Sequence, residues 1–217
     1  MPADLIHLVR HGEVFNPSGV LYGRLPEFHL SERGQLMARI AADSLAGRPI
    51  VAVTASPLSR TRESAQPWLE RFGLELGIDE RLIEPPNAFE GSNIRRALKR
   101  NPLLLRHLVN PWKPSWGEPF VSIAARMMAA VTSAHASVES GEIVLVSHQL
   151  PIWMVARTVH GKPLATDPRH RRCTLSSITT VEWDANAGPG RVGAFTEVDY
   201  QEPAATLLTE SIDLGAV

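Results

Sequence analysis

The feature that most constrains this chain is a repeated unit: a short apolar run, a polar break, then a stretch with helical spacing. "LIHLV" (5–9), "IVAVTA" (50–55) and "IVLVS" (143–147) are too short for buried helices and carry several β-branched residues. After the first comes "LSERGQLMARIAADSLAG", with a start signal at Ser31 and a stop at Gly47. Between them Leu36, Met37, Ile40, Ala41 and Leu45 fall near helical spacing. "SPLSRTRESAQPWLERFG" follows the second run, with Pro67 as an expected kink or break, and "PIWMVARTVHG" (151–161) follows the third. Strands running the same way need a long crossover, which these helices supply. The pattern predicts an α/β fold, a three-layer α/β/α sandwich with a mostly parallel central sheet. "SSITTVEW" (176–183) and "VGAFTEV" (192–198) predict two later strands, hairpin-paired around "DANAGPG".

No internal repeat or low-complexity linker divides the 217 residues, so one domain over 1–203 is the economical reading. The chain changes character at 85–119, where a helical and Pro-rich insertion is expected to form a lid, a pocket wall or a packed accessory helix. A tail at 204–217 has few cues and is expected to dock loosely. The formal net charge of -1, with no block of like charge, argues against nucleic acid and anionic membrane surfaces as partners. Cys173 is the single cysteine, which excludes an intramolecular disulfide and a cysteine metal cluster. No apolar run approaches the ~20 residues that span a bilayer, and the start lacks a secretory pattern. A soluble, cytoplasmic protein is the expectation.

The chemistry gathers where the strands stop. Arg10 and His11 follow the first, Ser56-Pro57 lead from the second to Arg60, and Ser147 and His148 close the third. Each alone reads as an ordinary polar residue at a strand end. In a parallel sheet, however, these ends share one edge, so two arginines and two histidines can converge there. That set suits a phosphoryl group. Guanidinium forks match phosphate oxygens, a neutral imidazole can attack phosphorus, and a second can hydrogen-bond an equatorial oxygen.

"LVRHGE" (8–13), "SPLSRTRESA" (56–65) and "VLVSH" (144–148), in this order and separation, resemble the histidine phosphatase superfamily, with its phosphoglycerate-mutase-like fold. The resemblance implies His11 as the nucleophile that becomes phosphohistidine, Arg10 and Arg60 as a phosphate clamp, and His148 as the second pocket histidine. It places the general acid in "RLIEPPNAFEG", where Glu84 and Glu90 are the candidates and Glu84 is preferred. Asn16, Gly23, Arg24 and Gln149 stand where further phosphate or substrate contacts are expected, Gln149 replacing the family's usual glycine. "RHGEVFN" reaches its asparagine one residue earlier than the family's loop does.

The function implied is that of a phosphomonoesterase acting on a small phosphorylated metabolite, without metal or cofactor. The short middle segment favours hydrolysis over mutase-type transfer, and a retired fold that only binds phosphorylated ligands is a third reading. The family's frequent dimers allow a homodimer. Arg95, Arg96, Lys99 and Arg100, and likewise Arg169, His170, Arg171 and Arg172, are candidates to meet a second anionic group. Trp112 and Trp116 are candidates to stack on a sugar or base.

Overall fold

The computed structural model describes residues 2–93, 117–165, 171–184 and 194–208. Six strands form one mixed sheet: β1 (Leu5–Arg10), β2 (Ile50–Ala55), β3 (Leu76–Ile78), β4 (Glu142–Ser147), β5 (Ile178–Trp183) and β6 (Phe195–Gln201). Their spatial order is β3-β2-β4-β1-β5-β6. The first four of that order run parallel, and β5 and β6 continue the sheet antiparallel.

Among the described residues four helices cover it: α1 (Glu32–Ser44), α2 (Ser59–Phe72), α3 (Phe120–His135) and α4 (Gln149–Val159). Strand alternation sorts the core into two layers. Ile6 and Leu8 of β1 and Ile143 and Leu145 of β4 pack with Ile123, Met127 and Val131 of α3 and Ile152 and Val155 of α4. Val9, Val144 and Val146 point the other way, toward Ala41 of α1 and Ala65 and Trp68 of α2. Strands buried on both faces read as continuous apolar runs, as β1 and β4 do, whereas β2 exposes Val51 near its start. His7, the polar residue inside β1, is buried but satisfied, Nδ1 lying 2.9 Å from Thr180 Oγ1 and Nε2 2.8 Å from Glu142 Oε2.

Several boundaries differ from the sequence reading, each for a local reason. Helix α2 runs unbroken through Pro67 and ends at Gly73, whose φ of 66° is the left-handed cap. Proline there removes one helical hydrogen bond without stopping a helix that Ala65 and Trp68 anchor in the core. Helix α4 begins at Gln149, because Pro151 occupies its first turn, where an N–H has no helical partner. Strand β6 ends at Gln201 rather than Val198, since an edge strand tolerates the polar alternation of "DYQ". Strand β3 escaped notice as a three-residue edge strand.

The described part of the tail, 204–208, is anchored. Ala204 is buried with Met37 and Leu175, and Leu207 and Leu208 pack against that cluster. Residues 94–116, most of the insertion, and 209–217 lie outside the described residues. The ends of the insertion are joined by a bridge between Asn87 and Gly117.

Leu8→Ala should cost about 2–5 kcal/mol of unfolding free energy, while Val51→Ala, on an exposed face of β2, should cost about 0.5 kcal/mol or less. Urea denaturation of the two variants measures this, and equal losses would contradict the two-sided burial of β1.

Candidate active site

Strand β4 lies between β1 and β2, and its carboxyl end organises theirs. Arg10 pairs with Ser147 and Ala55 with Val146. Beyond the strands the pairing continues for one more bond each, His11 N–H to Ser147 O and Ser56 N–H to Val146 O, both at 3.1 Å. His11, Ser56 and His148 therefore emerge side by side.

His11 is buried, with Nδ1 2.8 Å from the carbonyl oxygen of Gly12. A carbonyl only accepts, so Nδ1 carries the proton and Nε2 is a lone pair. Gly12 is held by Ser64 Oγ, which accepts its N–H at 3.0 Å. A Cβ on Gly12 would lie 2.3 Å from the carbonyl oxygen of Gly34, so only glycine permits this approach to α1. Glu13 has a structural task. Its carboxylate accepts from Ser31 Oγ at 2.7 Å and Arg33 at 3.2 Å, while Ser31 Oγ caps α1 by accepting from Gly34 N–H.

The two clamp candidates come from opposite sides. Arg10 Nη1 donates to the Cys173 carbonyl at 2.8 Å, and Arg60 Nη2 to the Gly23 carbonyl at 2.6 Å. Arg60 also lies over the ring of buried Tyr22, 4.8 Å from its centroid. The His11 and His148 rings sit 5.2 Å apart. Burial, reinforced by Arg60 and Arg10, holds both imidazoles well below their ordinary range, so both are neutral at neutral pH.

Glu84 closes the site on a loop that Ser147 secures by donating to the Leu82 carbonyl at 2.6 Å. Its Oε2 lies 3.9 Å from His148 Nδ1 and has no hydrogen-bond partner among the described residues. Burial pushes its pKa up to about 7, against the opposing pull of Arg60, Arg171, Arg10 and Arg126. Glu90 is different in kind. One oxygen accepts from the backbone N–H groups of Arg24 and Asn87, each at 3.0 Å, tying two loops together. Geometry thus favours Glu84 over Glu90 as the group free to exchange a proton.

The secondary candidates divide. Gly23, at φ 41°, offers its carbonyl to Arg60, and a side chain there would strike Glu90. Arg24 Nε donates to the Glu84 carbonyl at 2.5 Å. Gln149 lies at the rim, where its oxygen is 3.5 Å from Arg171 Nη1. Asn16 does not join them. Its side chain forms two hydrogen bonds with the Val20 backbone, an internal clip of its own loop. Arg172 turns away to pair with Glu197 and stack on Tyr200. Arg95, Arg96, Lys99, Arg100, Trp112, Trp116, Arg169 and His170 lie outside the described residues. The sequence reading missed Tyr22, Ser56 and Ser64 as supports, although "SPLSRTRES" contains the two serines.

A family model described as histidine phosphatase superfamily (branch 1) matches residues 6–190. The chain belongs to that superfamily. Among its relatives, an uncharacterized Mycobacterium tuberculosis protein is 47% identical over 208 residues, covering 94% of this chain and all of its own. GpmB of Escherichia fergusonii, named a probable phosphoglycerate mutase, is 27% identical over 180 residues, covering 80% of this chain and 83% of that protein. The solved structure of a mycobacterial glucosyl-3-phosphoglycerate phosphatase superposes with a TM-score of 0.68 at 26% identity, covering 83% of this chain and 91% of that one.

If Glu90 only ties loops together, Glu90→Ala should weaken inorganic phosphate binding roughly tenfold. It should leave the pH dependence of turnover unchanged. Loss of the alkaline limb in this variant would instead make Glu90 the acid.

Proposed function

We propose that this histidine phosphatase is a phosphomonoesterase acting on a small phosphorylated metabolite through a phosphohistidine on His11. The observation that carries the reading is the fixed tautomer of His11, a lone pair on Nε2 beside two buried arginines and a carboxyl titrating near neutrality. Nε2 attacks phosphorus in line with the ester oxygen, which leaves with the proton of Glu84. Glu84, now a carboxylate, takes a proton from water as that water attacks phosphorus, and the P–N bond breaks to restore His11. Arg10 and Arg60 balance the charge on the non-bridging oxygens throughout.

Hydrolysis is preferred over transfer because the segment between Glu84 and α3 is short. The named glucosyl-3-phosphoglycerate phosphatase among its structural neighbours is in keeping with this. The GpmB relative supports the second reading, a mutase. A protein that only binds phosphorylated ligands would be expected to have lost part of the set, and Arg10, His11, Arg60, Glu84 and His148 are all present.

The test is phosphate release from p-nitrophenyl phosphate without added metal. Wild type should turn over and His11→Ala should not; inactivity of both, with isomerisation of 3-phosphoglycerate by wild type, would establish the mutase instead. Glu84→Gln should slow an alkyl phosphate about 10²–10⁴-fold and the aryl ester far less, because p-nitrophenolate needs no proton to leave. The pH dependence follows the same groups. Glu84 loses its proton as pH rises through about 7, so alkyl ester turnover falls on that side. In the ligand-free site the histidines stay neutral until pH drops well below their ordinary range, so the maximum should lie on the acidic side of neutral. A limb still centred near pH 7 for the alkyl ester in Glu84→Gln would contradict this assignment.

A further inference from the structure

The hydrogen bonds behind His148 run in one direction. Thr61 Oγ1 lies 2.7 Å from the Leu58 carbonyl and 2.9 Å from the Ser56 carbonyl, and both of these can only accept. Its single proton is committed to them. Ser56 Oγ, 2.8 Å from Thr61 Oγ1, must therefore donate to it. That leaves Ser56 Oγ only its lone pairs for His148 Nε2, also at 2.8 Å, so Nε2 carries the proton. The other side of the ring agrees independently. Arg60 Nη2, which can only donate, lies 3.3 Å from His148 Nδ1. Nδ1 is a lone pair, and it faces the site, 3.9 Å from Glu84 Oε2.

This arrangement has a chemical consequence for any phosphate that enters. An oxygen of a phosphate dianion is itself an acceptor, and a neutral His148 in this tautomer offers it nothing. We infer that Ser56 and Thr61 are positioning residues that hold His148 as the Nε2–H tautomer, so that the phosphate is bound together with one proton on the Nδ1 side. The proton comes from solvent or arrives on a phosphate monoanion, and the balance is the same: one proton sits between Nδ1 and a phosphate oxygen. His148 then donates from both nitrogens, to Ser56 and to the ligand. The groups facing it are Arg60 of α2, Arg10 and His11 at the end of β1, Arg126 of α3 and Glu84. The four other than Glu84 resist a charged imidazole in the resting site, and the incoming phosphate reverses that balance. The two histidines thus have opposite tautomers for opposite tasks: His11 keeps its lone pair on Nε2 to attack, and His148 keeps its lone pair on Nδ1 to receive a proton.

This inference rests on phosphate as the ligand, and its test reads the tautomer without turnover. Long-range 1H–15N spectra of protein labelled at histidine report which ring nitrogen is protonated, with His148 assigned by its loss in His148→Gln. Wild type without ligand should show His148 neutral and protonated at Nε2. Saturation with inorganic phosphate at about pH 8, where the dianion predominates, should protonate Nδ1 as well. Thr61→Val frees the Ser56 hydroxyl to donate to Nε2, so His148 should shift toward the Nδ1–H tautomer. Ser56→Ala, a smaller change, should lose the Nε2–H preference. A wild-type His148 protonated at Nδ1 without ligand, or a tautomer unmoved in both variants, would overturn the inference. An inactive enzyme whose His148 behaves as described would count against the phosphatase reading and for the tautomer held by Ser56 and Thr61.

Discussion

The parallel register between β1 and β4 is the constraint on which the rest depends. Arg10 opposite Ser147 puts His11 beside His148, and the additional bond from His11 N–H to Ser147 O keeps the two loops from diverging. With β2 on the other side of β4, Ser56 enters the same layer and α2 starts at the right height to bring in Arg60. A slip of one residue would turn His11 to the opposite face of the sheet and carry every core side chain of β1 with it. Core packing and site geometry are therefore specified by the same pairing, and the site inherits the rigidity of the most buried strands.

Within that frame, burial does the electrostatic work. Two arginines, two histidines and a glutamate are all removed from water, and each responds in the way that keeps the resting charge tolerable. The arginines keep their charge and find backbone carbonyls at Cys173 and Gly23. The imidazoles stay neutral, and the carboxyl of Glu84 is raised to about 7. What remains is a positive cradle with a carboxyl of raised pKa at its edge, the arrangement that the proposed cleavage of a phosphate ester requires. The supporting contacts are mostly to backbone carbonyls, which can hold a tautomer or a guanidinium but cannot exchange protons with it.

The convergence of side chains at the strand ends was legible because the reaction proposed for them demands particular residue types in a particular order. Arg10, His11, Arg60 and His148 could be read from three short segments, and the sheet order then followed from the alternation of strands and helices. Glu84 was harder, because a carboxylate in a loop looks the same whether it exchanges protons or ties backbone. Only the partners of Glu90 separated the two. Asn16 is a similar case: its residue type suits phosphate, while its side chain bonds the Val20 backbone, a contact that residue type alone does not announce. Ser56, Ser64 and Tyr22 act through other residues, and nothing in their types distinguishes a support from a surface residue. Their roles depend on contacts between positions 38 or more apart in the chain, as with Arg60 over Tyr22, which local spacing does not encode.

The central claim is that His11 itself carries the phosphoryl group between the two half-reactions. The most direct measurement is rapid mixing with a phosphate ester, quenching in alkali to preserve phosphohistidine, and mapping of the phosphorylated peptide. The account predicts a transient phosphoryl group on the peptide containing His11, decaying at the rate of turnover. Label on another residue, or steady turnover with no protein-bound phosphate at any time, would contradict it.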